Sequence, residues 1–122
     1  MKGITYTRGI TIADASCRHA CDTGGLRPQL GYVELRARSS VGTNGHWAVV
    51  VRRKPSGDTL PEGESILVPE AVLRQAAPAL RKAGHEGGIV ARTEADANGT
   101  YEAKLIVQGL GIEISWTVPG GI

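Results

Sequence analysis

The sequence predicts an α+β fold in which two helices pack on antiparallel sheet. Two stretches have the apolar spacing of helices, one beginning after Thr11 and one beginning at Pro69. The other stretches either alternate apolar and polar residues or are rich in β-branched residues, as strands are. The order strand, helix, strands occurs twice, which predicts an internal β-α-β-β-β duplication within a single domain of residues 1–122.

The first predicted helix follows a short N-terminal strand that includes Ile4 and Tyr6. Thr11 is a favourable N-cap residue because its hydroxyl can accept a hydrogen bond from a free backbone N–H of the first turn. The helix is predicted to run from there to about Cys21. Gly24-Gly25 then ends it, since glycine is favoured after helix C-termini.

The second predicted helix begins at Pro69, because proline is best tolerated at the first helical position. Its apolar stripe consists of Val72, Leu73, Ala76, Ala77 and Leu80. Pro78 lies inside this pattern. Because proline lacks a backbone N–H and its ring crowds the preceding turn, Pro78 is expected to kink or split the helix.

Strands are predicted for the stretches with alternating or β-branched residues, namely residues 30–37, 47–53, 66–68, 88–93, 101–107 and 111–118. Residues 42–46 are interpreted as a turn that leads into the second of these strands. Residues 55–63 form a polar loop with turn formers throughout. Asn98-Gly99 and Gln108-Gly109 are predicted turns that separate the last three strands.

Length and composition limit the classes of function. A chain of 122 residues without phenylalanine must build a modest core from valine, isoleucine, leucine and alanine. A net charge of +2 permits contact with nucleic acid but falls short of a dedicated DNA-binding protein. The N-terminus lacks the apolar core of a signal peptide, and no apolar run reaches membrane-spanning length. Two cysteines without an export signal then predict a cytoplasmic protein with free thiols and no membrane contact.

No catalytic or metal-binding motif stands out in the chain. Cys17 and Cys21 would share one helix face, but a structural zinc site needs four ligands and no second Cys/His cluster is present. The three histidines, His19, His46 and His85, have no nucleophile at a suitable spacing, and no phosphate-binding loop occurs. We therefore expect a non-enzymatic protein without metal or cofactor. A small enzyme with an unrecognised site is an alternative.

Three segments in fixed order resemble the central domain of the bacterial sliding clamp, the β subunit of DNA polymerase III. Residues 27–35 (Arg-Pro-Gln-Leu-Gly-Tyr-Val-Glu-Leu) are similar to that domain's Arg-Pro-x-Leu-x-x-Val-x-Leu strand. Residues 42–49 (Gly-Thr-Asn-Gly-His-Trp-Ala-Val) resemble its Ala-Thr-Asp-Gly-His-Arg-Leu turn. Residues 65–69 (Ser-Ile-Leu-Val-Pro) resemble the Ile-Val-Pro segment that starts its second helix. The resemblance extends from about Ile4 to Ile122 and implies a DNA-clamp-like fold, with helices lining a DNA hole and sheets outside.

The resemblance also implies a site for short peptides. In the family, the Gly-His turn forms one wall of a groove that receives peptide motifs of polymerases and clamp loaders. By position, the corresponding residues are Thr43, Gly45, His46, Trp47 and Ala48. Trp47 stands where the family has arginine and Ala48 where it has leucine, and much of the family's groove comes from a further domain. A hairpin with Trp47 packed at the surface is the alternative interpretation.

DNA contacts are the second implication of the resemblance. The helix faces of the family point at the DNA backbone, and the cations expected there are Arg18, Arg74, Arg81 and Lys82. Such contacts would be independent of base sequence and sensitive to salt. Ordinary solvated helix faces explain the same cations, as a solvated sheet edge explains Arg52-Arg53-Lys54.

The resemblance implies a role in DNA replication, as a processivity-type factor or as a factor that binds clamp partners. Because one domain cannot encircle double-stranded DNA, the protein would assemble into a homo-oligomer through its sheet edges or act as a monomer on a replication protein. An interaction or inhibitor module that mimics a clamp domain is an alternative function. The molecular mass in solution separates the ring from the monomeric mimic.

Overall fold

The computed structural model describes residues 3–24, 27–54 and 57–121. These residues form an α+β fold with two α-helices and two antiparallel four-stranded sheets. The strands are β1 (Thr5–Ile10), β2 (Tyr32–Arg36), β3 (Ser39–Thr43), β4 (Ala48–Arg52), β5 (Ser65–Pro69), β6 (Gly88–Thr93), β7 (Tyr101–Val107) and β8 (Ile112–Val118). The helices are α1 (Ile12–Ala15) and α2 (Glu70–Ala83). The predicted α+β class is confirmed.

The first half of the chain runs from β1 to β4 and the second half from β5 to β8, and each half contributes its first strand to the sheet of the other half. The element order is β-α-β-β-β twice, yet the strand orders in space are β1-β6-β7-β8 and β4-β3-β2-β5. β1 pairs with β6 over its whole length, and β5 pairs with β2, with Val33 opposite Val68. Because each sheet contains a strand of both halves, neither half can complete a four-stranded sheet by itself.

One face of each sheet is buried against the helices. In β2, for example, Val33 and Leu35 are buried while Arg36 is exposed, because successive side chains of a strand point to opposite faces. The predicted apolar stripe of α2 is buried in full, and Ala79 joins it. The buried cluster is mainly valine, isoleucine, leucine and alanine, as expected from the sequence, and it also includes Cys17 and Tyr101.

The first helix is shorter than predicted. α1 ends at Ala15, and a 3-10 helix (Ser16–Ala20) continues the chain, so the prediction of one α-helix to about Cys21 is wrong. The tighter turn brings the Cys17 carbonyl oxygen against β3 at Gly42, where a Cβ atom would overlap it. Gly25, which was expected to end the helix together with Gly24, lies outside the described residues.

α2 runs without interruption through Pro78, so the predicted split of the helix does not occur. The Pro78 side chain lies on the exposed face of the helix, where solvent can hydrogen bond the carbonyl group that a proline leaves without an N–H partner. Pro69 is the last residue of β5 and the N-cap residue of α2, not its first helical residue as predicted. The helix therefore begins one residue later, at Glu70.

β3 (Ser39–Thr43) is a strand that the sequence analysis missed. Its sequence, Ser-Ser-Val-Gly-Thr, has one large apolar residue, and part of it was assigned to a turn. Val41 lies opposite Glu34 of β2 on one side and opposite Val50 of β4 on the other. This strand is therefore stabilised by pairing on both sides, because the strand propensity of its own residues is weak. The neighbouring boundaries shift slightly, because residues 28–31 form a 3-10 helix before β2 and β4 begins at Ala48.

Candidate functional site

The predicted peptide-binding residues form a hydrogen-bonded hairpin turn between β3 and β4. The Thr43 hydroxyl accepts a hydrogen bond from the Gly45 N–H (3.0 Å) and donates one to the Trp47 carbonyl (2.8 Å). The Asn44 side-chain oxygen accepts hydrogen bonds from the N–H groups of His46 (2.9 Å) and Trp47 (3.1 Å). Gly45 has a φ of 92°, a conformation that favours glycine. Short polar side chains thus hold the turn in one conformation.

The turn presents a tryptophan side chain to solvent, and a cation lies against its glycine. Trp47 is 55% exposed, and His46 and Ala48 are exposed as well. The Arg27 guanidinium lies against Gly45, where a Cβ atom would come within 2.8 Å of Nη2. Exposed tryptophan and arginine side chains on one turn are suited to binding a partner protein, because both residue types are enriched among binding hot spots. Peptide binding at this turn stays a prediction.

Three of the four cations predicted to contact DNA lie on the exposed face of α2. The Nη2 atom of Arg74 lies 3.8 Å from Glu70 Oε2, one helical turn earlier. Arg81 and Lys82 occupy the last turn, where cations are favoured by the helix dipole, and neither takes part in an ion pair within residues 3–24, 27–54 and 57–121. Arg18 lies on the 3-10 helix, is half-buried, and donates a hydrogen bond to the Ala15 carbonyl (3.0 Å). DNA contact by these residues stays a prediction.

Two sheet edges are unpaired. β4 and β8 are outer strands of their sheets, and the described part of the chain provides no strand beyond either of them. The outward face of β4 exposes Ala48, Val50 and Arg52, and that of β8 exposes Glu113, Ser115 and Thr117. Val50 is 48% exposed, which is unusual for a large β-branched side chain in a sheet.

The outer edge of β1, in contrast, is covered by the loop around Asp58. The Thr7 N–H donates a hydrogen bond to the Thr59 hydroxyl (2.8 Å), and the Leu60 N–H donates one to the Thr7 carbonyl (3.1 Å). The Gly9 N–H donates to Asp58 Oδ1 (2.8 Å). The loop thus satisfies the groups that a further strand would use.

The outer edge of β5 is closed by two side chains of the other sheet. The Leu67 N–H donates a hydrogen bond to the Tyr101 hydroxyl (2.9 Å), and Trp116 Nε1 donates one to the Leu67 carbonyl (2.9 Å). The Arg92 guanidinium carbon lies 4.1 Å from the centroid of the Tyr101 ring and fixes that ring from one face. Of the four outer strands, β4 and β8 are therefore the two whose edges remain available for pairing.

A buried ion pair joins the two sheets and is a feature that the sequence analysis missed. Arg8 is fully buried, and its Nη1 lies 3.4 Å from Asp14 Oδ2. Its guanidinium also donates hydrogen bonds to the carbonyls of Arg36 (2.6 Å) and Ser39 (3.1 Å). The Ser40 hydroxyl donates a hydrogen bond to Asp14 Oδ1. Burial lowers the pKa of Arg8, and Asp14 opposes this effect. The available signal was an arginine within the first strand followed, six residues later, by an aspartate in the first helical turn.

The two cysteines are free thiols in apolar surroundings. Burial raises the pKa of Cys17, and burial raises the pKa of Cys21 to about 11, so both are protonated at neutral pH. Protonated thiols are poor nucleophiles and poor metal ligands. Among the described residues, no group of three His, Cys, Asp or Glu side chains is placed to hold a metal ion.

Comparison with protein-family models, with curated proteins and with solved structures found no match to this chain. The described segments contain no helix of sufficient length and apolar character to cross a membrane. A proposal for the function therefore depends on the edges, cations and exposed side chains described above, together with the resemblance in the sequence.

Proposed function

We propose that this protein is a single-domain, sliding-clamp-like, non-enzymatic protein that acts in DNA replication in the cytoplasm, as a processivity-type or clamp-partner-binding factor. Self-assembly through β4 and β8 is the central element of this proposal. The observation that carries it is that β4 and β8 each have a free outer edge, whereas the outer edges of β1 and β5 are covered. Unpaired edges are available to extend a sheet with a second copy.

The side chains of the two free strands match when β4 of one copy docks antiparallel on β8 of the next. The register that places Arg52 opposite Glu113 also keeps the outward face of β4 on the same side as the outward face of β8. It sets Val50 opposite Ser115, Ala48 opposite Thr117, Val51 opposite Ile114 and Val49 opposite Trp116. Opposite charges and apolar pairs across antiparallel strands are both favourable. Glu113 lies 3.5 Å from Lys104 in its own chain and retains lone pairs for Arg52.

The proposed interface is heterologous because it joins two different edges. Each copy therefore contributes β4 to one neighbour and β8 to another. Assemblies of this kind close into rings when the rotation between copies permits it. The exposed face of α2, with Arg74, Arg81 and Lys82, would then be repeated once per copy. A ring lined by such a face would hold double-stranded DNA through its phosphates without reading its sequence.

The solution mass of charge variants tests this proposal. Light scattering at about 10–200 μM is expected to give a homo-oligomer for the native protein, because a useful ring needs micromolar affinity or better, about 8 kcal/mol. Arg52→Glu and Glu113→Arg, each alone, should shift the mass toward the monomer by placing like charges opposite each other. The double variant should regain the oligomer. Arg38→Glu, on a connection outside β4 and β8, is the control.

A monomeric mass for the native protein at about 100 μM, with an unchanged circular dichroism spectrum, would contradict the assembly. That result would favour the second candidate, a monomeric module that mimics a clamp domain and binds clamp partners. The exposed Trp47 on the turn that Arg27 contacts at Gly45 is the observation in favour of this module. In that case Trp47→Ala is expected to weaken binding of a clamp-binding peptide by about 2 kcal/mol or more.

A further inference from the structure

An apolar groove lies between the C-terminal half of α2 and the turn that joins β7 to β8. The groove has a volume of about 480 Å³ and is lined by Pro78, Ala79, Arg81, Lys82, Leu110 and Ile112. A smaller groove of about 300 Å³ adjoins it and shares Lys82 and Leu110. Leu110 is 42% exposed, so the ridge between the two grooves is an apolar side chain presented to solvent. We name the larger cavity the α2 groove.

The rim of the α2 groove is cationic while its floor is apolar. Arg81 and Lys82 form the rim, and neither has an ion-pair partner within the described residues. Pro78, Leu110 and Ile112 provide the apolar floor. Glu86 lines the smaller groove only, so no carboxylate belongs to the lining of the α2 groove. The size falls in the range of cavities that bury small ligands or a few side chains.

We propose that the α2 groove binds a short segment of a partner protein in which an apolar side chain is flanked by carboxylates. The apolar side chain would bury against Pro78, Leu110 and Ile112, and the carboxylates would pair with Arg81 and Lys82. Arginine and lysine give charge-assisted hydrogen bonds to carboxylates, and the apolar contact supplies area that ion pairs alone lack. Binding of such a segment requires neither self-assembly nor DNA.

The charge distribution of the groove favours an acidic occupant. Arg81 and Lys82 have no ion-pair partner within the described residues, and the lining of the groove includes no carboxylate. β4 contains no carboxylate either, so a second copy docked on β8 through this strand would bring the two cations no partner from it. An acidic segment of a different protein complements the rim of the groove.

Two cations of the groove are also among those predicted to contact DNA. If Arg81 and Lys82 are neutralised by an acidic segment, they cannot pair with phosphate oxygens. The acidic segment and duplex DNA would then compete for the end of α2. The segment would thereby weaken any DNA binding that depends on these cations.

An NMR titration of the ¹⁵N-labelled protein tests the inference. The probe is an acetylated and amidated pentapeptide, Asp-Leu-Leu-Asp-Asp, added to about millimolar concentration, where short segments begin to saturate such sites. Saturable shifts are expected for the amides of residues 79–83 and 108–112. Two control peptides separate the contributions: Lys-Leu-Leu-Lys-Lys reverses the charges and Asp-Ser-Ser-Asp-Asp removes the apolar anchor. Both controls are expected to bind at least several-fold more weakly.

Matched protein variants complete the test. Arg81→Ala/Lys82→Ala and Leu110→Ser should each weaken binding of the probe about five-fold or more, because they remove the charge-assisted and the apolar contacts respectively. Lys54→Ala and Ile4→Ser, which remove an exposed cation and an exposed apolar side chain elsewhere, should leave it unchanged. Equal binding of the charge-reversed peptide, or shifts confined to other residues, would overturn the proposal. Shifts of the amides of residues 79–83 on dilution without peptide would identify a second copy as the occupant and would also overturn it, because these residues lie on α2 and outside the proposed pairing of β4 with β8.

Discussion

Arg8 shows how one buried charge can join separate parts of this fold. The residue belongs to β1, yet its guanidinium reaches Asp14 of α1 and two carbonyls at the connection between β2 and β3. β1 lies in the sheet of the second half, so these contacts fix the exchanged strand to the first half. Removing one partner of such a pair costs more than the pair contributes, because the other charge stays buried without compensation.

Arg8→Met is therefore expected to lower the free energy of unfolding by about 3–5 kcal/mol. Arg38→Ala is the control, because the Arg38–Glu62 ion pair is 69% exposed on both sides and exposed pairs contribute less than about 1 kcal/mol. Urea denaturation followed by circular dichroism measures both variants. Similar losses for the two variants would show that Arg8 is not the link between the halves.

The buried thiols predict a loss of stability in alkali. In the unfolded chain Cys21 ionises at its ordinary pKa of 9.0, whereas in the folded protein its pKa is raised to about 11. Between these values the unfolded state releases a proton that the folded state keeps, so stability is full below pH 9 and falls as the pH rises toward 11. Burial also raises the pKa of Tyr101, which acts in the same direction.

Cys21→Ala should consequently lose less stability than the native protein between about pH 8 and about pH 10.5. Melting temperatures at the two pH values measure the difference. Tyr101 is unchanged in this variant, so part of the alkaline loss should persist. An identical loss in both proteins would show that the Cys21 thiol does not contribute.

At the scale of elements, the sequence predicted what a local pattern determines and missed what pairing determines. The buried stripe of α2 follows from helical spacing, and β6 and β7 coincide with the predicted strands because their alternation is clear. β3 escaped notice because Ser-Ser-Val-Gly-Thr carries no strong strand signal and is stabilised by neighbours on both sides. The free edges, the α2 groove and the Arg8 network depend on contacts between distant segments, which no local pattern records.

The tendency of Pro78 to break a helix is overridden by the packing of α2. Within residues 70–83 it removes one backbone hydrogen bond, yet the buried side chains on either side hold the helix together. Pro78→Ala should restore that bond and raise the free energy of unfolding by about 1–2 kcal/mol, after allowing for the greater freedom of the unfolded chain. Urea denaturation measures the gain.

Gln75→Ala lies on the same exposed face of α2 and is the matched control, with an expected change within about 0.5 kcal/mol. A destabilised Pro78→Ala protein would mean that the proline makes packing contacts that exceed the missing hydrogen bond.

At the scale of the whole molecule, the two helices share one core, and each sheet has one outer strand whose outer edge is free. The excess of positive charge is only +2. Contact with DNA would therefore depend on where the cations lie more than on how many there are. The exposed face of α2 concentrates Arg74, Arg81 and Lys82 within its last three turns. Three of the four residues predicted to contact DNA lie on this face, and the fourth, Arg18, lies on the 3-10 helix.

Binding to duplex DNA is accordingly expected to be weak, independent of base sequence and steeply dependent on salt, since each phosphate that pairs with a cation releases counterions. Fluorescence anisotropy with a labelled duplex, between about 20 and 200 mM salt, measures the slope of affinity against salt concentration. Replacing Arg74 and Arg81 together by Ala should lower that slope by roughly one unit for each phosphate that no longer pairs with a cation. Arg36→Ala/Arg38→Ala, which removes two cations already paired with Glu34 and Glu62, should leave it unchanged. If the native protein shows no binding at the lowest salt, the cations of α2 belong to a solvated helix face, and the acidic segment proposed for the α2 groove becomes their remaining ligand.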